Sequence, residues 1–216
     1  MDVAALVIYC ADIGSIATDK FGWAREVGGG GIEVRRGGSE IDVLASSVAA
    51  DLDDGRAVAL GFECPQYIPL ARLPREILSQ RDGEAGKPWS AGAGASVLTV
   101  GLAETAWLLR EVRERAANTH AAFLSWPAFR DTGGGLFLWE AFVTGDAKGA
   151  THIEDAEAAV RSFGKALPDP TAANAVKPTA EVHSLIGAAL LRTGWTSDIA
   201  VLRQSCLVIR AAKAGS

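Results

Sequence analysis

Residues 4–14 run Ala-Ala-Leu-Val-Ile-Tyr-Cys-Ala-Asp-Ile-Gly, and this stretch decides the fold prediction. Its first eight residues carry no charge, and half of them are β-branched, aromatic or leucine. Such a run is typical of a strand buried on both faces of a sheet, at the centre of an α/β fold. Asp12 follows at the carboxyl end of this strand, where α/β sheets bind their ligands, and Gly14 permits close approach of backbone. We therefore expect a functional site at this end of the strand.

Length and composition fit one domain over residues 1–216, because 49% hydrophobic residues are enough for a full core. The net charge of −5 and the pI near 5.3 argue against broad affinity for nucleic acid, which depends on Lys and Arg. A local basic groove or a metal-bridged phosphate contact stays open, so nucleic acid is kept as a partner. A homodimer also stays open.

The three cysteines, Cys10, Cys64 and Cys206, lie in or beside apolar runs, and no pair has zinc-ligand spacing. Buried, reduced thiols of a cytosolic protein are the expectation. The first residues lack the positive segment and cleavage site of a signal peptide, and no apolar run reaches the roughly 20 residues that span a bilayer. We predict a soluble cytoplasmic protein with no membrane partner.

The residues after the first strand predict a three-stranded antiparallel meander. Bulky apolar residues alternate in Phe21–Val27, and Ile32–Arg36 alternates again after the four glycines at 28–31. A glycine turn between two alternating runs is the signal of a hairpin. The first strand and this hairpin together give three neighbouring strands.

A helix and a second buried strand come next. Ser39–Asp42 resembles a capping box, with a carboxylate three residues after the hydroxyl. Beyond it, apolar residues fall on one helical stripe: Ile41, Leu44, Ala45, Val48 and Leu52. Arg56–Phe62 is then an apolar strand that ends on Glu63. Because a helix between two buried strands predicts a parallel crossover, we expect this strand to lie beside the first.

The rest of the chain alternates irregular and periodic segments. Residues 65–95 are rich in Pro and Gly and predict a long mobile loop or lid, and residues 165–180 form a Pro-rich linker. Regular elements are predicted between and after them: a helix from Ser96, apolar segments at Ala121–Trp126 and Leu136–Val143, a helix from Thr151 to Phe163, a helix at Glu181–Arg192 and a strand at Cys206–Arg210.

Two predicted parallel strands thus each deliver an acid at the same end, Asp12 and Glu63. Neighbouring strands lie about 4.8 Å apart, so the two carboxylates can share a divalent cation. Oxygen ligands on a rigid sheet suit Mg²⁺ or Mn²⁺, and two such ions support hydrolysis of phosphodiesters. The alternative is that one acid caps a helix and the other faces solvent, and the residues alone leave both interpretations open.

Four short stretches carry a family resemblance: Tyr9–Gly14, Phe21–Ala24, Leu60–Pro65 and Phe137–Glu140. The pattern resembles the ribonuclease H-like superfamily, and the last stretch is similar to a glutamate-bearing strand in an uncharacterised branch of predicted nucleases. The resemblance implies an α/β fold with a mixed five-stranded sheet, three antiparallel and then parallel strands, flanked by helices. It also implies that Asp12 and Glu63 hold Mg²⁺ or Mn²⁺ and that Glu140 assists.

The same resemblance implies a third acid on a late helix. Asp155 is the first choice, which makes Asp12, Glu63 and Asp155 the predicted metal ligands. The later helix, however, fits the branch's pattern better and carries His183 or Ser184 at the acid's place. In that second alignment the metal site is depleted, which argues against activity.

Accessory residues are predicted around this site. His152 and His183 are placed to tune a metal or to shuttle a proton, although a histidine at a helix start is more often simply exposed. The Gly-rich stretch at 89–96 precedes a helix and offers backbone N–H groups to a phosphate, with Lys87 and Arg81 adding charge. A hinge is the competing interpretation of that stretch.

Three function classes follow. The first is a metal-dependent nuclease with Asp12, Glu63, Asp155 and Glu140 in its site. The second is a catalytically inactive binding or scaffold protein of the same fold. The third is a small-molecule phosphotransferase of the actin-like kinase type, which shares Asp12-Ile13-Gly14 but requires two such half-domains.

Overall fold

A mixed sheet of seven strands lies at the centre of the computed structural model, which describes residues 2–28, 36–84, 86–177 and 181–212. Helices cover both faces of the sheet, so the α/β class is confirmed. The prediction of five strands is wrong, because the two short strands Ala122–Phe123 and Leu207–Arg210 both pair with the strand Gly135–Phe142 and bring the sheet to seven.

The strands, numbered in chain order, are β1 Val7–Asp12, β2 Gly22–Val27, β3 Arg36–Gly38, β4 Ala57–Phe62, β5 Tyr67–Pro69, β6 Ala122–Phe123, β7 Gly135–Phe142, β8 Val182–Ser184 and β9 Leu207–Arg210. The main sheet has the order β3-β2-β1-β4-β7-β6, and β9 also pairs with β7. Strands β5 and β8 form a separate antiparallel pair.

Strand β1 occupies the predicted central position. All six of its residues are buried, it runs antiparallel to β2 and parallel to β4, and Ala11 lies opposite Phe62. The sheet up to β4 therefore has the predicted antiparallel-then-parallel order. Strand β3 covers only the last residue of the predicted strand 32–36, and residues 29–35, which include most of the predicted glycine turn, lie outside the described ranges.

The two additional strands, β6 and β9, pair with the same edge of β7. Strand β6 pairs with its first half, where Phe123 lies opposite Phe137, and β9 pairs with its second half, where Arg210 lies opposite Phe142. The apolar segment at 121–126 gives only two strand residues because the Ser125 hydroxyl accepts a hydrogen bond from the Ala128 N–H and starts a helix.

The helices are α1 Ile41–Asp53, α2 Gly92–Arg115, α3 Trp126–Thr132, α4 His152–Lys165 and α5 Leu185–Arg192. The apolar stripe of α1 is buried as predicted. The predicted capping box of α1 is wrong, because Glu40 is its N-cap and makes no side-chain cap bond. The cap of α4 is confirmed, since the Thr151 hydroxyl accepts from the Glu154 N–H at 3.2 Å.

Two predicted helix starts differ from the structure. Helix α2 begins at Gly92, four residues before the predicted Ser96. Helix α5 begins only at Leu185, because Val182 and Ser184 are buried and His183 is exposed, which is the alternation of a strand. The Ser184 hydroxyl then accepts from the Gly187 N–H and caps α5.

The core has two halves, one on each face of the sheet. Val7, Tyr9 and Ala11 of β1 face one half, which includes apolar side chains of α1, α2 and α5. Alternate residues such as Ile8 and Cys10 face the other half, where α3 and α4 pack. The three cysteines are buried and free, as expected.

Helix α2 is long and apolar enough, by length and composition alone, to span a membrane, and it is the only such helix found in the described ranges. Core helices of soluble proteins pass the same test. Leu108, Leu109 and Val112 in its carboxyl-terminal half are buried in the core, but only 28% of its apolar window is buried. The cytoplasmic location stays a prediction.

Candidate functional site

The first two predicted acids meet at the carboxyl edge of the sheet. Asp12 is the last residue of β1 and is 1% exposed, and Glu63 directly follows β4. The Glu63 N–H donates to the carbonyl of Ala11 at 2.8 Å, which continues the β1–β4 ladder by one step. The parallel register therefore brings the two side chains together, as the sequence predicts.

The contact with Asp12 affects the ionisation of Glu63. Burial raises the pKa of Glu63 well above its usual value, and the hydrogen bond with Asp12 and the charge of Asp12 raise it further. Two neighbouring carboxylates repel each other unless a proton or a cation lies between them. The pair is therefore a place where a bound cation would be stabilised.

Helix α4 brings two more groups to this edge. His152, its first residue, lies with Nδ1 at 2.5 Å from Asp12 Oδ2, and its side chain is 38% exposed. The close approach depends on Gly22, which is the register partner of Asp12 on β2. A Cβ at Gly22 would lie 2.5 Å from the backbone of His152, so any larger residue there would push α4 away.

Asp155 lies one helical turn further along α4 and is 5% exposed. Its Oδ1 accepts from the Gly149 N–H at 2.6 Å, and its Oδ2 accepts from Lys148 Nζ at 3.3 Å. Lys148 Nζ also lies 3.9 Å from Glu63 Oε1. The ammonium of Lys148 thus lies between Glu63 and Asp155 and connects them.

Lys148 is a site residue that the sequence analysis missed. Burial disfavours its charged form, but the charges of Glu63, Asp155 and Asp12 outweigh burial and raise the pKa of the ammonium. Its one sequence signal is position, since it lies in the loop between the strand with Glu140 and the capped helix α4.

The donor set fits a hard divalent cation in chemistry, but the arrangement differs from a formed metal site. Asp12, Glu63 and Asp155 supply carboxylate oxygens, the ligands that Mg²⁺ and Mn²⁺ prefer. Within the described ranges, no group of three His, Cys, Asp or Glu side chains has the geometry of a metal site. A cation shared by Glu63 and Asp155 would need the place that the Lys148 ammonium holds.

Glu140 lies on β7, opposite Phe62 of β4, and is held by a buried ion pair. Arg81 Nη2 donates to its Oε1 at 2.5 Å and Nη1 to its Oε2 at 2.8 Å, and the Gln66 N–H donates to Oε2 at 2.9 Å. Arg81 Nε also donates to Glu84 Oε1 at 2.8 Å. Both oxygens of Glu140 are therefore engaged in fixing residues 65–84 to the sheet.

The remaining predicted residues are distributed differently. His183 is exposed on β8 opposite Ile68, and Ser184 is buried and caps α5, so neither is brought to Asp12 in the manner of Asp155. Of the two candidate positions for the third acid, Asp155 and the position of His183 or Ser184, the structure brings Asp155 to the acidic edge. Lys87 is exposed and lines a cavity beside this edge.

Glu104 on α2 is a second residue without a sequence signal. It is buried, and one of its oxygens has no hydrogen-bond partner among the residues that the structure describes. Burial raises its pKa to about 7, a hydrogen bond from the Gly14 N–H lowers it, and the charge of Asp12 raises it. Glu104 is therefore a further titratable carboxyl, close to Gly14 and to the charge of Asp12.

A cavity of about 520 Å³ borders the acidic edge. Glu63 and Lys148 belong to its lining, so the cavity opens directly beside the acids. Segments from the 65–95 region, the start of α2 and the end of β7 supply the other walls.

Comparisons of the chain with protein-family models, curated proteins and solved structures find no match. The fold and the site define the class of protein only as an α/β protein with a mixed seven-stranded sheet and a cluster of acids at the carboxyl edge of its central strands.

Proposed function

We propose that this protein is a divalent-metal-dependent phosphodiester hydrolase, a nuclease of ribonuclease H-like fold, in which Asp12, Glu63 and Asp155 hold the metal. The observation that carries the proposal is the contact between Asp12 and Glu63 at the ends of two adjacent parallel strands. Asp155 reaches the same edge from α4 and is tied to Glu63 through Lys148.

The strand order supports the fold part of this proposal. An antiparallel set β1-β2-β3 is followed by α1 and then by β4 and β7, both parallel to β1. This is the order that the resemblance implies, with the first acid on β1 and the second after β4. The short strands β6 and β9 extend the sheet beyond β7 and leave the acidic edge unchanged.

The protein's own groups have separate roles in such a reaction. When bound, a divalent ion would polarise the phosphate and make an attacking water more acidic. His152, which contacts Asp12 and has a 38% exposed side chain, would accept a proton from that water. Lys148 is placed to pair with a phosphate oxygen once it leaves Glu63 and Asp155.

One observation favours the second candidate, an inactive binding protein. An ammonium between two carboxylates neutralises them without a metal, and Lys148 has this position. In the nuclease, Lys148 must therefore yield its place to the metal, whereas in the inactive protein it stays there. A measurement of metal binding therefore distinguishes the nuclease from the inactive binding protein.

Isothermal titration with Mn²⁺ tests the proposal. We expect the wild type to bind Mn²⁺ and to cleave single-stranded oligonucleotides. Asp12→Asn should lose both properties, because it removes the proposed metal ligand at the end of β1. Asp131→Asn, at an exposed acid on α3, is the matched control and should behave like the wild type. Wild-type heats no larger than those of Asp12→Asn would rule out the nuclease and leave the binding protein.

A further inference from the structure

We propose that the cavity beside the acids binds one nucleoside unit of the substrate, with its phosphate at Lys148 and its base in the cavity. The substrate is then the end of a single strand or a small nucleotide diester, not the interior of a duplex. This rests on the proposed function for the phosphate's position. The position of the base is argued from the size, the walls and the charges of the cavity.

Size is the first argument. The cavity measures about 520 Å³, within the range of roughly 300–1,000 Å³ that is common for sites of small organic ligands. A metal ion with one phosphate would fill a small part of it. Because Glu63 and Lys148 lie in its lining, a group attached to a phosphate at the acids would extend directly into this space.

The walls are the second argument. Most of the exposed lining is apolar, and it includes Pro65, Pro88, Trp89, Val97, Phe142 and Val143. An apolar, partly aromatic wall contributes nothing to the binding of an inorganic anion, whereas it suits the planar face of a nucleobase. Trp89 is held in place, since its indole N–H donates to the carbonyl of Ser79 at 3.0 Å.

Charge is the third argument, because it sets the ligand's orientation. Inside the cavity, Arg81 is neutralised by its pairs with Glu140 and Glu84, and the full lining has as many carboxylates (Glu63, Glu84, Glu140) as cations (Arg81, Lys87, Lys148). Lys148 lies at the acidic edge instead, with its side chain 51% exposed. The lining thus has no surplus of positive charge for a second phosphate, so one phosphate at Lys148 and an uncharged base inside is the favoured arrangement.

The overall charge of the chain agrees with a single nucleotide unit. A duplex or a long strand is held through many phosphate contacts to Lys and Arg. The chain has a net charge of −5, and the cations named at this cavity are Lys148, Lys87 and the neutralised Arg81. Recognition through one enclosed base needs few cations.

Titration with adenosine monophosphate tests this inference, both in saturating Mn²⁺, where the metal would leave Lys148 free for the phosphate, and in EDTA, where binding should be weaker. We expect the wild type to bind, and Val97→Trp, which fills the cavity from α2, to bind at least tenfold more weakly. Thr99→Trp places the same indole on an exposed position of α2 and is the matched control. Equal affinity in Val97→Trp and wild type, or no binding to the wild type, would overturn the proposal.

A second variant guards against misfolding of Val97→Trp. Lys148→Ala should weaken binding of adenosine monophosphate and leave binding of adenosine unchanged, because only the former has a phosphate. Inorganic phosphate that binds as tightly as adenosine monophosphate would contradict the role of the apolar wall. Tighter binding of a dinucleotide than of the monophosphate assigns the site to a strand end, and the reverse shows that the cavity accommodates a single nucleotide unit.

The failures of the two proposals are distinguishable. Binding of adenosine monophosphate without any binding of Mn²⁺ would leave the cavity as a nucleotide site and remove the nuclease. Binding of Mn²⁺ that Asp12→Asn abolishes, without binding of the monophosphate, would leave the metal site and remove the nucleoside pocket.

Discussion

Two clusters of acids lie side by side at the carboxyl edge of the sheet, and they differ in how their charge is compensated. In the first, Glu140 on β7 and Glu84 are joined by Arg81, which is 2% exposed and makes bonds of 2.5–2.8 Å. In the second, Asp12, Glu63 and Asp155 share Lys148, which is half exposed and lies 3.3–3.9 Å from two of them.

This difference indicates that the first cluster has a structural role and that the second can bind a ligand. A guanidinium that donates two parallel bonds to a carboxylate fixes both partners, and no oxygen of Glu140 remains free for a ligand. A lysine ammonium at longer distance is a mobile point charge that another cation can replace. We therefore assign anchoring of residues 65–84 to the first cluster, whereas the second is the place of the proposed chemistry.

Removal of Arg81 is the change with the largest expected effect. Arg81→Ala leaves two buried carboxylates without their cation, and breaking a buried pair in this way costs about 3–5 kcal/mol of unfolding free energy. Urea denaturation measures it. Arg75→Ala, at an exposed arginine of the same segment, should stay within about 0.5 kcal/mol of the wild type. A loss below about 1 kcal/mol for Arg81→Ala would contradict the anchoring role.

The ionisation of Glu63 gives the second prediction. Because its pKa is raised in the folded state, the folded protein holds this proton more tightly, and stability falls as pH rises from about 4.3, the value for unfolded chains. Glu63→Gln removes this loss, so its advantage in unfolding free energy over the wild type should grow from pH 5 to pH 8 in EDTA. A difference in unfolding free energy between Glu63→Gln and the wild type that does not change with pH would contradict the contact between the Glu63 and Asp12 carboxyls.

Glu104 serves as the comparison for that measurement. Its pKa of about 7 gives the same sign, a loss of stability as pH rises from about 4.3 to 7. Glu104→Gln should therefore also flatten the pH profile. Saturating Mn²⁺ should abolish the contribution of Glu63, a proposed ligand, and leave that of Glu104. Loss of both contributions would place Glu104 in the metal site as well.

The smallest expected effect on stability concerns Lys148. Lys148→Met removes a half-exposed ion pair, which contributes at most about 1 kcal/mol. It also removes the cation that occupies the place between Glu63 and Asp155, so Mn²⁺ should bind about tenfold more tightly, equivalent to about 1.4 kcal/mol. Unchanged or weaker Mn²⁺ binding in the variant would show that Lys148 does not compete with the metal. Glu140→Gln, in the anchoring cluster, should leave Mn²⁺ affinity unchanged.

The sequence by itself determined the elements that depend on short-range patterns. Apolar runs gave β1 and β4, one helical stripe gave α1, and a hydroxyl with a carboxylate three residues later gave the start of α4. The meeting of Asp12 and Glu63 followed from these, because strand alternation and a parallel crossover fix which residues share an edge.

Only the tertiary structure decided how those acids are compensated. The pairing of Arg81 with Glu140 joins residues 59 positions apart, and Lys148 reaches Glu63 from a loop with no motif. The division of one edge of β7 between two short strands is likewise set by distant partners. Local patterns encode backbone conformation and burial, whereas ion pairs depend on which side chains packing brings within a few ångströms, and no short-range signal carries that information.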